Sequence, residues 1–135
     1  MKAQPITILV DTREQVPLIF SPEVNVERVC LREGDYSAVG LEGIAAIERK
    51  SVADLVMSFT HERDRFLREL DRLRPYAFKA IVVEGSLGEI VAGAFRSRAH
   101  PNSIVGSICA VIADFNMPIV FCDDAKSCAV VVEKI

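Results

Sequence analysis

The sequence contains no tryptophan, few other aromatic residues and no apolar run long enough to cross a membrane. Its first residues, MKAQPITILVD, do not resemble a secretory signal, because the apolar run is short and ends at Asp11. Half of the 135 residues are apolar and the net charge is only −3, which also argues against a disordered chain. We therefore predict a single domain over residues 1–135 without a membrane partner.

Cysteine is scarce, and none of the four cysteines belongs to a Cys-x-x-Cys pair or has a histidine nearby. This spacing argues against a zinc site. Cys30, Cys109, Cys122 and Cys128 stand among apolar residues, so we predict that they are buried free thiols. Free thiols indicate a reducing, cytoplasmic setting, associated with the nucleoid if the protein is prokaryotic.

An excess of basic residues is also missing, since 16 lysines and arginines face 19 acidic residues. This balance argues mildly against a large DNA-binding surface. It does not exclude a nuclease, whose catalytic carboxylates themselves add negative charge. Any affinity for DNA would have to come from local basic patches, from a dimer, or from another domain or protein.

The sequence does contain a compact group of charged residues at the end of an apolar run. Glu48 and Lys50 follow the run at residues 44–47, and if this run is a strand their side chains share one face. Asp35 lies one short predicted strand earlier, behind Gly34. A hairpin around residues 40–43 would bring Asp35 beside Glu48.

This arrangement joins two carboxylates and one ammonium group, which suits the hydrolysis of a phosphodiester bond. Mg²⁺ prefers hard oxygen ligands and usually takes only one or two carboxylates, completing its shell with water and phosphate oxygen. A neighbouring lysine can orient or deprotonate the attacking water and stabilise charge on the phosphate. Mn²⁺ accepts the same ligands, so the residues do not distinguish the two ions.

Five ordered motifs resemble the nuclease domain of the XPF-type structure-specific endonucleases, which have a restriction-endonuclease-like fold. The short pattern Asp-x(12)-Glu-x-Lys is weak alone, but the ordered set spans nearly the whole chain. It comprises Val10-Asp11-Thr12-Arg13-Glu14, then Gly34-Asp35, then Glu48-Arg49-Lys50 with Asp54, then Val83-Glu84-Gly85-Ser86, and finally Pro101-Asn102-Ser103-Ile104-Val105-Gly106.

The resemblance implies an α/β fold with a central mixed, largely parallel sheet flanked by helices. It also implies a catalytic set in which Asp35 and Glu48 hold the metal directly and Asp11 contributes to it, either directly or through water. Lys50 would orient the attacking water. The full implied set is Asp11, Asp35, Glu48, Arg49, Lys50 and Asp54.

Two members of this set have alternative roles. Asp54 stands three residues after Ser51 and could complete a helix capping arrangement, which is compatible with a supporting role beside the metal. Arg49 points to the strand face opposite Glu48 and Lys50, from which it could reach Asp54 or Asp11 in an ion pair.

Several charged residues are candidates for contact with DNA. Arg13 and Glu14 could brace the site or touch DNA, and a surface salt bridge is an equal alternative for them. Two basic patches could contact phosphates, although a solvated helix face with internal ion pairs explains most of the arginines of residues 52–74. These patches are Arg63 with Arg65, and Arg96 with Arg98.

The periodicity of the chain predicts its remaining elements. Strands are expected at residues 6–10, 24–31, 78–83 and 117–122, and a loop at residues 15–23. A helical pattern over residues 52–74 should break near residues 60–61. Ser86 should cap the next helix, a longer helix should follow His100, and Asp123 should cap a final helix.

These features together predict a divalent-metal-dependent DNA endonuclease, acting at branched DNA such as flaps or forks in repair or recombination. The alternative is a catalytically inactive XPF-like subunit for DNA binding or dimerisation, but such subunits lose the acidic residues or the lysine. A restriction-like nuclease acting on plain duplex is a third possibility.

The resemblance further implies a homodimer formed through the C-terminal helices, about residues 101–135. Many relatives carry helix-hairpin-helix domains after the nuclease domain, and this chain has none. The chain could be an excised domain or a stand-alone protein. We predict that this chain alone binds DNA weakly and loses that affinity steeply as salt rises.

Overall fold

A computed structural model describes residues 6–135 of the chain as a six-stranded mixed sheet with helices on both faces. The spatial strand order is β2-β1-β3-β4-β5-β6. The elements are β1 (Thr7–Asp11), β2 (Asn25–Val29), β3 (Tyr36–Ala38), β4 (Ala45–Ser51), α1 (Val52–Phe59), α2 (Arg63–Leu73), β5 (Phe78–Glu84), α3 (Leu87–Val91), α4 (Pro101–Phe115), β6 (Ile119–Phe121) and α5 (Ala125–Lys134).

The sheet combines parallel and antiparallel pairs. Strand β1 pairs in parallel with β2, and β4, β5 and β6 also run parallel to one another. The short β3 is antiparallel to both of its neighbours, β1 and β4. The predicted α/β architecture with a mixed, largely parallel sheet is therefore confirmed, as is the predicted hairpin between β3 and β4.

Alternating residues of the central strands divide the core into two layers. The front face of the sheet, which carries Ala46, Ile81 and Val83, packs against apolar residues of α1, α2 and α4. The back face, which carries Ile47 and Val82, packs against α5. Strand β5 is buried on both faces at residues 80–83, as the apolar sequence at these positions predicts.

Side-chain caps fix the starts of α1, α3, α4 and α5, and those of α1 and α3 were predicted, whereas Glu62 before α2 makes no such bond. Ser51 caps α1 and Ser86 caps α3, each in a reciprocal capping box, and His100 accepts a bond from the second residue of α4. The prediction for α5 was wrong, because Asp124 rather than Asp123 accepts the bond from Ser127 N–H. Asp123 has a positive φ of 62° and occupies the preceding turn.

The prediction of four buried thiols was half wrong. Cys122 and Cys128 are buried, but Cys30 and Cys109 are exposed. Cys30 follows the edge strand β2, and Cys109 lies on the solvent side of α4. Local apolar composition did not reveal which side of each element faces the core.

The loop over residues 15–23 and the break between α1 and α2 agree with the sequence pattern. No helix within residues 6–135 is long and apolar enough to cross a membrane.

Candidate active site

Three acidic residues form a row across the front face of the sheet. The register pairs Val10 with Tyr36 and Tyr36 with Ile47, so the next position in both pairs brings Asp11 opposite Asp35 and Asp35 opposite Glu48. Directly opposed residues of antiparallel strands share a face. Backbone bonds extend both pairs, since Asp11 N–H donates to Asp35 O at 2.9 Å and Asp35 N–H donates to Ile47 O at 2.8 Å.

Gly34 allows Asp35 to approach β4 closely. Its φ is +80°, a conformation that favours glycine. A Cβ atom at this position would lie 3.1 Å from Ala46 Cβ and 3.2 Å from Ile47 O. The Gly-Asp dipeptide is therefore a backbone requirement of the site, because a side chain at position 34 would push Asp35 away from Glu48.

The surroundings of Asp35 and Glu48 disfavour a negative charge on either carboxyl group. Burial raises the pKa of Asp35 to about 6, although Arg49 N–H donates to Asp35 Oδ2 at 2.8 Å. The pKa of Glu48 lies well above its ordinary value because of burial and the nearby charges of Asp35 and Glu69. Lys50 opposes both shifts without cancelling them.

Glu69 is a fourth front-face carboxylate, and it was not among the site residues predicted from the sequence. It is partly buried, and its charge lies close enough to Glu48 to raise the pKa of that carboxyl group. The buried residues Phe66, Leu70 and Leu73 orient α2 against the sheet. Glu69 stands three residues after Phe66, and this helical spacing was the available signal that it shares the inward side.

Lys50 lies at the same end of β4. Its ammonium group is 5.1 Å from the centre of the Phe66 ring, so a cation–π contact with α2 holds it above the front face. The predicted convergence of Asp35, Glu48 and Lys50 is therefore present in the structure. An ammonium group at this place can neutralise charge on a phosphate that approaches the two carboxylates.

Asp11 belongs to the row, but protein donors occupy both of its oxygens. Its Oδ1 accepts from Leu31 N–H at 2.9 Å, and its Oδ2 accepts from Arg13 Nε at 2.6 Å and Arg13 N–H at 3.2 Å. Burial raises its pKa, but these bonds outweigh burial and the pKa is lowered. Asp11 thus anchors Arg13 and the segment after β2, and a role as metal ligand remains a prediction.

Arg49 points to the back face, as predicted, but its predicted partners were wrong. It pairs with Glu84 through Nε and with Glu14 through an Nη1–Oε2 contact of 2.9 Å, whereas Asp11 and Asp54 are held elsewhere. Burial lowers the pKa of Arg49, but its bonds to the two glutamates outweigh burial and raise the pKa. Glu14 therefore braces the site, which was one of the roles expected for it.

Asp54 is exposed and completes the capping box of α1. Its backbone N–H donates to Ser51 Oγ at 3.1 Å, and its Oδ2 lies 3.5 Å from Ser51 N. The capping role predicted for Asp54 is confirmed. Asp35, Glu48 and Lys50 form what we call the front-face group. Because Ser51 follows Lys50 directly, the start of α1 lies beside this group.

The arginine candidates for DNA contact are exposed. Arg65 is 3.6 Å from Glu62, and Arg63 lines a groove between α2 and α4. Arg96 and Arg98 lie in the segment between α3 and α4 and form no ion pair with any of residues 6–135.

The front-face group fits a divalent cation of the Mg²⁺ type. Across residues 6–135, no group of three or more acidic, histidine or cysteine side chains has a spacing that could hold a metal ion. Mg²⁺ does not require one, since it commonly takes one or two carboxylates and completes its shell with water and substrate oxygen. Asp35 and Glu48 supply such a pair, and their raised pKa values show that the site disfavours their charged forms, which a bound cation would stabilise.

Comparison with known proteins defines the class to which this fold and site belong. The family model described as the ERCC4 domain matches residues 10–135. The chain therefore belongs to the ERCC4 domain family, and its resemblance to XPF-type nuclease domains is confirmed.

Two kinds of relative support this assignment. The chain is 32% identical, over 133 residues, to a Methanocaldococcus jannaschii protein named as an ATP-dependent RNA helicase. It also resembles XPF from Aeropyrum pernix, with a TM-score of 0.75, 26% identity and 95% of this chain covered. The structure of that protein in complex with DNA matches with the same TM-score and identity over 96% of this chain.

The matches cover unequal shares of these relatives. Although they include 98% of this chain, they span only 15% of the M. jannaschii protein. They span 58% of the A. pernix XPF chain and 62% of the same protein in its DNA complex.

Proposed function

We propose that this protein is a divalent-metal-dependent DNA endonuclease. The observation that supports this most directly is the pairing of Asp35 with Glu48 beneath Lys50, in a chain of the ERCC4 domain family. The two carboxylates repel each other in a partly buried site, and such an arrangement is costly unless a cation binds there.

Asp35 and Glu48 would hold Mg²⁺ or Mn²⁺, and Asp11 would support them by ordering Arg13 and Leu31. The ion would supply Lewis-acid activation of the phosphate and charge neutralisation. Lys50 would orient the attacking water and offset charge on the phosphate as the phosphodiester bond breaks. Hydrolysis at this class of site leaves a 5′ phosphate and a 3′ hydroxyl, which is the product we expect.

The proposed substrate is branched DNA, such as a flap or a fork in repair or recombination. The bound DNA of the A. pernix XPF structure favours DNA as the ligand. The two exposed arginine patches are the proposed phosphate contacts, because a phosphate needs an accessible cation. With a net charge of −3, binding by this chain alone should be weak and should fall steeply as salt rises.

We also propose a homodimer formed through α4 and α5. Both helices carry exposed apolar side chains, with Ile112 at 44% and Val130 at 52% exposure. Sedimentation equilibrium of the wild type and of an Ile112→Glu variant tests this. A dimer that the charged residue dissociates supports the proposal, and a wild-type monomer at micromolar concentration contradicts it.

We retain two further proposals from the sequence. Residues 1–135 would act as one nuclease domain, and the protein would reside in a reducing cytoplasmic setting, since its cysteines are free thiols.

The deciding experiment measures cleavage of end-labelled flap, fork, Holliday-junction and plain duplex DNA. Each substrate is tested with Mg²⁺, with Mn²⁺ and with EDTA. Asp35→Asn and Lys50→Ala variants are compared with the wild type, and Glu27→Gln, at an exposed position of the edge strand β2, serves as the control. Metal-dependent cleavage that both active-site variants lose, and that the control keeps, supports the proposal.

Two other results would indicate a different function. Stronger cleavage of plain duplex than of branched DNA would indicate a restriction-like nuclease. If folded protein cuts none of the substrates at high concentration, fusion to a helix-hairpin-helix domain supplies DNA affinity. Cleavage only after fusion identifies a nuclease that lacks affinity, and continued inactivity identifies an inactive DNA-binding or dimerisation subunit.

A further inference from the structure

We propose that Tyr36 and Arg49 are positioning residues, which hold the Asp35 carboxylate in place from the back face of the sheet. Neither side chain reaches the front face, where Asp35, Glu48 and Lys50 converge. Their effect is transmitted through the backbone of β4. The consequence for metal binding rests on the proposed function, whereas the placement of Asp35 does not.

Tyr36 joins β3 to the loop that follows β1. Its side chain is fully buried, with 0% exposure, and its ring packs edge-to-face on Phe20 at 5.7 Å between centroids. The hydroxyl donates to Glu14 Oε2 at 2.7 Å and accepts from Leu18 N–H at 2.8 Å. A phenylalanine would keep the packing but would leave Leu18 N–H without its acceptor and would remove one of the donors to Glu14 Oε2.

Arg49 joins the same loop to β4 and β5. Its Nη1 donates to Glu14 Oε2 at 2.9 Å and to Val16 O at 2.6 Å, and its Nε donates to Glu84. Glu14 Oε2 therefore accepts from both Tyr36 and Arg49, so the two side chains share one acceptor. The guanidinium group, with 15% side-chain exposure, is fixed at several points, which a flexible single-point cation could not reproduce.

The peptide N–H of Arg49 connects this network to the front face. It donates to Asp35 Oδ2 at 2.8 Å, while Asp35 N–H donates to Ile47 O at 2.8 Å. Asp35 also immediately precedes Tyr36 in the chain. The back-face network thus fixes the strand positions on both sides of the Asp35 carboxylate.

The charges around Arg49 argue against direct contact with a phosphate. Glu14 and Glu84 both pair with this one guanidinium group and have side-chain exposures of 16% and 25%. Together they offset its charge and accept hydrogen bonds from its Nε and Nη1. The arginines proposed to bind phosphate are exposed, whereas Arg49 is enclosed by its own partners. Arg49 is therefore not placed to contact a phosphate.

The test compares Tyr36→Phe with Tyr76→Phe. Tyr76 is also buried, at 7% exposure, but it lies in the front-face core and its hydroxyl bonds to none of residues 6–135. Amide hydrogen exchange is followed at position 49, with the Ile81 N–H, which donates to Pro118 O at 2.9 Å, as an internal reference. We expect exchange at position 49 to be about tenfold faster in Tyr36→Phe only, with the reference amide unchanged.

Divalent-metal affinity, measured by calorimetry, supplies the second readout. Tyr36→Phe should weaken it about tenfold, the usual cost of losing a group that orients a ligand, and should leave the KM for DNA unchanged. Arg49→Lys should act in the same direction, because lysine cannot span the same acceptors. Glu84→Gln, which retains an acceptor oxygen, should restore most of the affinity that Glu84→Ala loses.

The outcomes separate this inference from the proposed nuclease function. Unchanged exchange at position 49 in folded Tyr36→Phe, or equally faster exchange in Tyr76→Phe, would overturn the positioning role. A loss of DNA affinity with intact metal affinity in Arg49→Lys would overturn it too, because Arg49 would then contact the substrate. A wild type that neither binds metal nor cuts DNA removes the proposed function, and the exchange measurement still decides the placement of Asp35.

Discussion

The two faces of strand β4 handle charge in opposite ways. On the back face, Arg49 is enclosed by Glu14 and Glu84, and both of these glutamates accept hydrogen bonds from its guanidinium group. On the front face, Lys50 offsets part of the charge of Asp35 and Glu48, and the nearby Glu69 adds further negative charge. Arg49 and Lys50 are adjacent in β4 but lie in different environments. Arg49 belongs to an ion-pair network, and Lys50 belongs to a site with an excess of acidic groups.

This difference separates structural from functional charge. A fully partnered network stabilises the fold and gains little from a ligand. An excess of carboxylates in a partly buried place destabilises the unliganded fold, and only a cation or protons can relieve it. The following four predictions test this contrast, and they are ordered by the expected size of the effect.

Removal of the back-face cation should cause the largest change in stability. Arg49→Met should lower the free energy of unfolding by about 3 kcal/mol, because two partly buried glutamates lose their partner. Chemical denaturation measures this. Arg65→Ala is the matched control, since that exposed arginine lies 3.6 Å from Glu62 and should cost less than about 1 kcal/mol. Equal losses of unfolding free energy in Arg49→Met and Arg65→Ala would contradict the proposed difference between the two faces of β4.

Removal of a front-face charge should instead increase the free energy of unfolding. Asp35→Asn should raise the free energy of unfolding of the metal-free protein at pH 7 by about 2 kcal/mol, because the charged form is the unfavourable one. Asparagine can still accept the bond from Arg49 N–H. Denaturation in EDTA and in Mg²⁺ measures the effect, and a loss of stability in EDTA would refute the assignment of unfavourable charge.

The pH dependence of stability should follow from the same carboxylates. The folded-state pKa of Asp35, about 6, exceeds its ordinary value of 3.8, so the folded protein retains a proton that the unfolded chain releases. Without metal, this group should therefore make stability fall as pH rises from about 4 to 6, and Glu48, whose pKa is also raised, should add to the decline as pH rises. Stabilisation by Mg²⁺ should grow over the same interval. Asp35→Asn should remove the part of this decline in stability that lies between pH 4 and 6.

Glu69→Gln should produce the smallest of these effects. Removing one of the charges that raise the pKa of Glu48 should stabilise the metal-free protein by about 1 kcal/mol at pH 7. Glu62→Gln, on the exposed N-terminal side of α2, provides a control that should change stability by less than about 0.5 kcal/mol. Destabilisation by Glu69→Gln would show that Glu69 has a favourable partner.

The sequence alone determined the features that depend on neighbours along the chain. The alternation of Glu48 and Lys50 with Arg49 follows from the two-residue period of a strand. The glycines around β3 signalled the hairpin that aligns Asp35 with Glu48, and Ser51 with Asp54 signalled the start of α1. The five motifs identified the family, because their order and spacing can be read directly from the sequence.

The tertiary structure decided the contacts between distant segments. Arg49 meets Glu14 and Glu84, each 35 residues away, and no local pattern specifies which acids a buried arginine will reach. The rotation of α2 against the sheet directs Glu69 towards Glu48, and the packing of α4 leaves Cys109 exposed. These outcomes depend on how helices and strands pack as whole surfaces, since burial is a property of the assembled core.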